Sequence, residues 1–464
     1  MTVLDAGVER RSRRRAEIGV VVTCGLTNLL VWGTVAAFNV ALPAMSTDLD
    51  GGIGTASWMV LGFVMANSSA TLVFSKLSDE WGRRWFYFGG LLVFVAAAVL
   101  GALVESEAVL IGLRILQGLA AASSISNSSA VITDVFPPER LPVALGAFMA
   151  MNGVAALAGP VIGGVLIDHF GWRSIFWFSA VVGLLTVAVG WDGLKQVHAP
   201  GVRRFAFDVP GAITSVGGLG CLIYAVQLVG DPDRNTLLAG CLGGVAALLL
   251  AALVVVERAS RHPLVDLAVV AGARGVVYGA SFLASMAANG SIVLATLYLQ
   301  VMEGASAAAA GAFLLPMGLA LLVGPPLAGT MQRWVGVRTV TTVGSLTMGG
   351  GTALLALAFA LSAPHAAMWP MTAAIGLGQG IFQAGVSART MNGVAPNRRG
   401  VANGVRTTLI NGSNGVSTAL VIASITLMAG PRAIAHTDPV GARPAFVVAA
   451  AVLAAAALGA AAAS

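Results

Sequence analysis

Charge is what this sequence has least of. Acidic and basic residues together make 10% of its 464 positions, against roughly 25% in a soluble globular chain. That scarcity excludes an ordinary water-soluble domain and a disordered chain, both of which need polar surface. Lysine is nearly missing: Lys76 and Lys195 stand against 24 arginines. The net charge of +6 is spread over 26 basic and 20 acidic residues. It forms no concentrated basic face, so no nucleic-acid partner is expected. The three cysteines, Cys24, Cys221 and Cys241, each lie in an apolar run. There a thiol serves as a small hydrophobe, and neither a disulfide nor a metal site is expected.

Catalytic signatures are missing as well. Lys76 follows Ser75 and Lys195 follows Leu194, so there is no Gly-Lys-Ser/Thr loop to cradle phosphate. No histidine is followed by glutamate, which removes the His-Glu-x-x-His zinc helix. No Gly-x-Ser-x-Gly elbow occurs. The run Gly376-Leu377-Gly378-Gln379-Gly380 lies inside an apolar stretch, where glycines serve helix packing better than phosphate binding. Nothing points to an enzyme or to a bound cofactor.

What is present is hydrophobicity, at 57% of residues and a mean hydropathy of +0.87. A membrane span needs ~20 apolar residues. Arg10, Arg11, Arg13, Arg14 and Arg15 precede an apolar run from Ile18 to about Pro43. That run is too long for a signal peptide and reads as a first span with a cytoplasmic start. Further runs fall near 55–75, 86–104, 108–131, 141–166, 174–193, 209–229, 236–256, 277–301, 308–331, 338–361, 367–388, 401–428 and 444–463. The reading is an all-α integral membrane protein of about fourteen spans with both termini inside. Alternating the connections from a cytoplasmic start puts 20 basic residues inside, 4 outside and 2, Arg114 and Arg406, within spans. Positive residues accumulate on the cytoplasmic side of membrane proteins, and the bias fits an even span count.

The stretch Ser75–Arg84, between spans two and three, is partly repeated at Gly329–Arg338, between spans ten and eleven. Gly82 matches Gly336 and Arg84 matches Arg338, both at an offset of 254. Internal repeats around a midplane site mark transporters. The expected organisation is a six-helix bundle over 1–193, a linker with two additional helices over 194–276, and a second six-helix bundle over 277–464.

Three motifs carry chemistry. Asp79, Gly82, Arg83 and Arg84 sit at a tight cytoplasmic turn, where an acid can accept charge-assisted bonds and glycine lets the chain reverse. A helix clamp and gate is expected there. In span four, Arg114 lies ~7 residues, or ~10 Å, from the helix's outer end. An arginine at that depth is a functional residue by default, with snorkelling to the surface as the alternative. Gln117, Ser124 and Ser128 continue its helical face as a polar stripe suited to a cavity wall. Gly159-Pro160-Val161-Ile162-Gly163-Gly164, in span five, promises a kinked helix able to pack closely and seal a leak path.

Together these motifs resemble the major facilitator superfamily, and the fourteen spans resemble its drug:proton antiporter branch of that topology. Asn39-Val40-Ala41-Leu42-Pro43, Gly171-Trp172-Arg173 and Tyr298-Leu299-Gln300 agree with that branch. The resemblance implies two six-helix bundles plus two central helices, alternating access, and export of an amphipathic organic compound such as an antibiotic. The proton gradient would supply the energy. It departs at Ser75, where glycine is usual, at Glu80, where a basic residue is usual, and at Thr34, where an acid is usual. No acid lies at mid-membrane depth, and Asp134, at the inner end of span four, is the nearest candidate proton carrier.

Polar residues at membrane depth nominate the cavity: Asn28, Thr34, Asn39, Asn67, Asn289, Thr296, Gln379, Gln383, Arg406, Asn411 and Asn414. Trp32, Trp58 and Phe63 offer stacking surface. Any one of the polar groups could equally tie helices together, at ~0.6 kcal/mol per bond. The expected partners are a small-molecule substrate, protons and the lipid bilayer. The expected state is a monomer in a bacterial cell membrane. An uncoupled facilitator of a small metabolite is the alternative among transporters. A membrane sensor of the same fold is the alternative outside them, and it should carry an added signalling domain or long tail.

Overall fold

At bilayer depth no water is available to the backbone, so each N–H and C=O must find its partner within a helix or a closed sheet. This chain uses helices throughout. The computed structural model describes residues 3–50, 52–137, 140–194, 209–229, 236–259, 272–391, 399–429 and 439–463, and among the described residues there is no strand. The first six helices are α1 (Val3–Asp48), α2 (Gly52–Trp81), α3 (Arg83–Leu103), α4 (Glu107–Val135), α5 (Leu141–Phe170) and α6 (Ser174–Gly193). Next come α7 (Val209–Val229) and α8 (Thr236–Ala259). Then α9 (Ala273–Leu297) runs into a π turn at Tyr298–Met302. It is followed by α10 (Ala307–Phe313), α11 (Leu315–Leu361), α12 (His365–Met391), α13 (Arg399–Ala429) and α14 (Pro439–Ala463).

The expected fourteen apolar runs lie on these helices. By length and composition alone, nine helical stretches among the described residues qualify as membrane spans, one of them 55 residues long at Ala307–Leu361. At ~1.5 Å per residue such a stretch exceeds twice the ~30 Å core and must hold two spans. Gly336 divides it, at φ 77° and ψ 160°. Gly82, its partner in the 254-residue repeat, reverses the chain between α2 and α3 at φ 107°. Both turns use a backbone conformation that a side chain would strain.

Helices α1–α6 pack mainly on one another, and so do α9–α14, giving two six-span bundles in which α10 and α11 supply spans ten and eleven. Glycines set the approach distances. A Cβ on Gly118 of α4 would stand 2.3 Å from the Phe63 carbonyl oxygen of α2. One on Gly376 of α12 would stand 2.0 Å from the Met317 carbonyl oxygen of α11. The 376–380 run is thus a packing surface, as its composition implied.

The bundles meet along two seams. On one, Gly159 and Gly163 of α5 lie against Gly33, Ala36 and Ala37 of α1, while Gly164 faces Ala307 and Ala308 across the seam. The Pro160 carbonyl there faces Gly311, where a Cβ would stand 2.2 Å away. The Asp168 carboxylate, at the end of α5, accepts the N–H groups of Ala307 at 3.1 Å and Ala308 at 2.9 Å. Gln300 Nε2 donates to the Val40 carbonyl at 3.0 Å. On the other seam, between α2 and α13, Asn411 Nδ2 donates to Asn67 Oδ1 at 3.3 Å, and Leu61 packs on Ala419. These contacts run from mid-depth to the arginine-poor face, opposite the Gly82 and Gly336 turns. Helix α7 packs against both α2 and α13, with Trp58 and Tyr224 edge to face at 4.9 Å, and α8 packs on α7.

The glycine contacts predict a paired outcome. Gly376→Ala overpacks a backbone contact and should cost about 1–3 kcal/mol of stability. Gly350→Ala, where a Cβ meets nothing within 4 Å, should leave stability unchanged or raise it slightly through helix propensity. Thermal unfolding of the two variants in detergent distinguishes them.

Candidate functional site

Arg114 of α4 is fully buried. Gly118, one turn further on, lets α4 lie close against the α2 backbone at Phe63, and the Arg114 side chain reaches across. Its Nε donates to the Met59 carbonyl of α2 at 2.7 Å, and Nη1 donates to Gln117 Oε1 at 2.9 Å. The guanidinium carbon lies 4.0 Å from the Phe38 ring centroid on one side and 4.5 Å from that of Phe63 on the other. Both faces of the cation are therefore covered by π clouds. Arg114 Nη2 and Gln117 Nε2 are buried without a protein partner. No carboxylate among the described residues pairs with Arg114. Snorkelling is thus not what this side chain does.

A second cation, Arg406 of α13, is 7% exposed. Its Nη1 donates to Gln383 Oε1 at 3.1 Å, and Gln383 Nε2 donates to Ser285 at 3.1 Å. Asn39 Oδ1, Gln379 Oε1 and Asn411 Oδ1 are also buried with no hydrogen-bond partner among the described residues. Asn67 and Asn411 join the bundles near mid-depth. Asn28 is buried on α1.

Other nominated residues serve packing. Thr34 bonds the Leu30 carbonyl and meets Ser179 of α6 at 2.9 Å, inside one bundle. Ser124 and Ser128 are fully buried between α4 and its neighbours. Ser124 donates to the Tyr87 carbonyl at 3.0 Å, and Ser128 donates to the Ser124 carbonyl at 3.2 Å. The expected stripe on a cavity wall is a helix–helix contact at these two positions. A hydroxyl that bonds its own preceding turn needs no wet surface. Asn289 ties α9 to α13, bonding the Asn414 carbonyl at 3.2 Å and Ser417 at 2.9 Å. Thr296 bonds the Ile292 carbonyl. Trp32 packs half-buried against the apolar core of the first bundle, and Trp58 faces α7.

At the arginine-rich face, Arg83 pairs with Asp134 at 2.5 Å, tying the start of α3 to the end of α4. Arg84 lies over Trp191 at 5.5 Å. The backbone of Asp79 is helical, while its side chain lies outside the described residues. Sequence reasoning missed Phe38, Met59 and Ser285. An aromatic residue in an apolar helix carries no mark of the cation it will face.

A family model described as Major Facilitator Superfamily matches residues 24–418. The puromycin resistance protein of Streptomyces alboniger is 30% identical over 445 residues, covering 93% of this chain and 85% of the relative. A probable actinorhodin transporter of Streptomyces coelicolor is 29% identical, covering 96% and 78%. The tetracenomycin C resistance and export protein of Streptomyces glaucescens is 29% identical over 70% of this chain, which spans 60% of that relative's length. Among solved structures, the POT family transporter PepTSo superposes with a TM-score of 0.67 at 12% identity, over 96% of each chain. A bacterial homolog of the human lysosomal transporter Spinster, inward-facing and occupied, gives 0.63 at 16% identity, again over 96% of each. Likeness at those identities speaks for the fold. With a family model spanning most of its length and two six-span bundles joined by polar contacts, this chain belongs to the major facilitator superfamily.

Proposed function

We propose that this protein exports an amphipathic organic compound from a bacterial cell by alternating access, driven by inward proton flow. The observation that carries this reading is a polar interior: Asn67 and Asn411 join the bundles at mid-depth, and each bundle holds one buried cation. A seam with no solute to pass would be apolar, because each buried polar group without a partner costs about 1–3 kcal/mol. The names of the relatives, which concern puromycin resistance, tetracenomycin C export and actinorhodin transport, support an antibiotic-like substrate.

The arginine bias assigns the face of Gly82 and Gly336 to the cytoplasm, together with both termini. The cross-seam contacts then lie on the outer side, and the conformation is the inward-open one. Asp79, Gly82, Arg83 and Arg84 would clamp the inner side in the opposite state. Asp134, held by Arg83, is the acid assigned to proton exchange at the inner end of α4. Thr34, hydrogen-bonded to Ser179 where related exporters carry an acid, favours a second reading, an uncoupled facilitator.

Three outcomes test these statements. Expression in a drug-susceptible host should lower accumulation of at least one member of a broad antibiotic panel, and unchanged accumulation across the panel would remove the exporter reading. In reconstituted vesicles, transport should collapse when the pH gradient is dissipated; persistence without it would select the facilitator. Asp168→Ala removes two charge-assisted bonds across the outer seam and should favour the outward-open state by roughly tenfold. Spin labels at the exposed positions Phe170 and Leu361, one per bundle, would report this as a longer distance, and an unchanged distribution would show that the glycine contacts alone hold the seam.

A further inference from the structure

The buried cation of α4 has more donors than acceptors around it. Of the guanidinium's three nitrogens, Nε is bonded to Met59 and Nη1 to Gln117, and Nη2 has no partner among the described residues. Gln117 uses its oxygen on Arg114, which leaves its own Nε2 without a partner. The two orphan N–H groups come from side chains joined to each other by a hydrogen bond. Phe38 and Phe63 close both faces of the guanidinium, so a ligand reaches it along the Nη2 edge. The group is fully buried and stays charged, since a guanidinium is not deprotonated in proteins. A charge at this depth without an opposite charge is costly. Rings and neutral amides relieve that cost in part, and an anion relieves it outright.

We infer that Arg114 and Gln117 form a subsite for the carboxylate, or a similar planar anion, of an aromatic substrate. The substrate class follows from the lining. A carboxylate offers two acceptor oxygens to two adjacent donors, while a cationic drug would meet like charge with no carboxylate to pair with. The flanking phenylalanines suit an apolar ring attached to that head. Access is linked to the seam. Phe38, one wall of the subsite, lies on α1 two residues before Val40, whose carbonyl takes the Gln300 bond from the other bundle. Phe38 itself packs on Phe176 of α6 within the first bundle, so a ligand is admitted where α1 shifts as the seam parts.

This inference rests on the exporter reading for its physiological meaning, and its test does not. The full chain in nanodiscs is titrated with 2-naphthoate and with its uncharged isostere 2-naphthamide, by calorimetry at pH 7.5. A hydrogen-bonded charge in a buried site predicts that the carboxylate binds roughly tenfold tighter or more. Arg114→Ala should bring the two affinities together. Gln117→Ala should narrow the ratio and serves as the second variant if the first does not fold. Arg140→Ala, at the surface on Glu17, should leave the ratio intact. Equal binding of the two probes, absence of binding by either, or a preference that survives Arg114→Ala would each overturn the subsite. Drug accumulation that is unchanged while the carboxylate preference stands would instead count against export and leave the subsite in place.

Discussion

In a bilayer an apolar side chain gains nothing by leaving lipid for a neighbouring helix, because both surroundings are equally apolar. What holds helices together there is contact so close that lipid cannot match it, and such contact requires small residues. This chain supplies 58 glycines, and the tightest of them face backbone rather than side chain: Gly118 on Phe63, Gly311 on Pro160, Gly376 on Met317. Large side chains stand on both sides: Leu237, Leu248 and Val255 of α8 are exposed, while Phe94, Phe176 and Phe382 are buried between helices.

Close backbone packing also decides what the interior can hold. It brings Met59, Phe38 and Phe63 within reach of one α4 side chain and leaves no room for a snorkelling route. Arg114 is consequently solvated by a carbonyl, an amide and two rings. Arg406 in the other bundle is likewise held by a glutamine, itself anchored on Ser285. Arg114, paired with no carboxylate among the described residues, leaves a positive charge inside the first bundle. Thr34 belongs to the same pattern. An acid at that position would have to share the contact that the threonine hydroxyl makes with Ser179 at 2.9 Å.

The spans were legible in the sequence because lipid-facing helices are written as continuous apolar runs, and the charge bias of the connections fixed their alternation. Gly82 and Gly336 were legible as a pair because a backbone requirement selects glycine twice. The partners across helices were less so. Ser124, Ser128 and Thr34 have the polarity of cavity residues, yet a hydroxyl can be satisfied by its own helix, so polarity alone does not tell a wall from a contact. Asp168 reads as one more acid near a span end. Its partners are backbone N–H groups at the start of α10, and no side-chain pattern announces those. Arg114 was legible as a buried cation from depth alone, while its ring partner on α1 was not.

The two seams between the bundles are built from different materials, and the difference bears on how they part. Along α5 the contact is glycine to backbone, with Asp168 at its outer end. Such a surface is smooth and slides or separates as a unit. Along α2 and α13 the contact is an Asn–Asn bond and apolar side chains, with α7 laid over both helices and Trp58 set edge-on to Tyr224. An aromatic pair of this kind contributes roughly 0.5–1.5 kcal/mol beyond its area. A motion that separates α2 from α13 must also take α7 off one of them, whereas the α5 seam carries no such cost. The inserted helices therefore make one seam harder to open than the other, although each bundle contributes six spans.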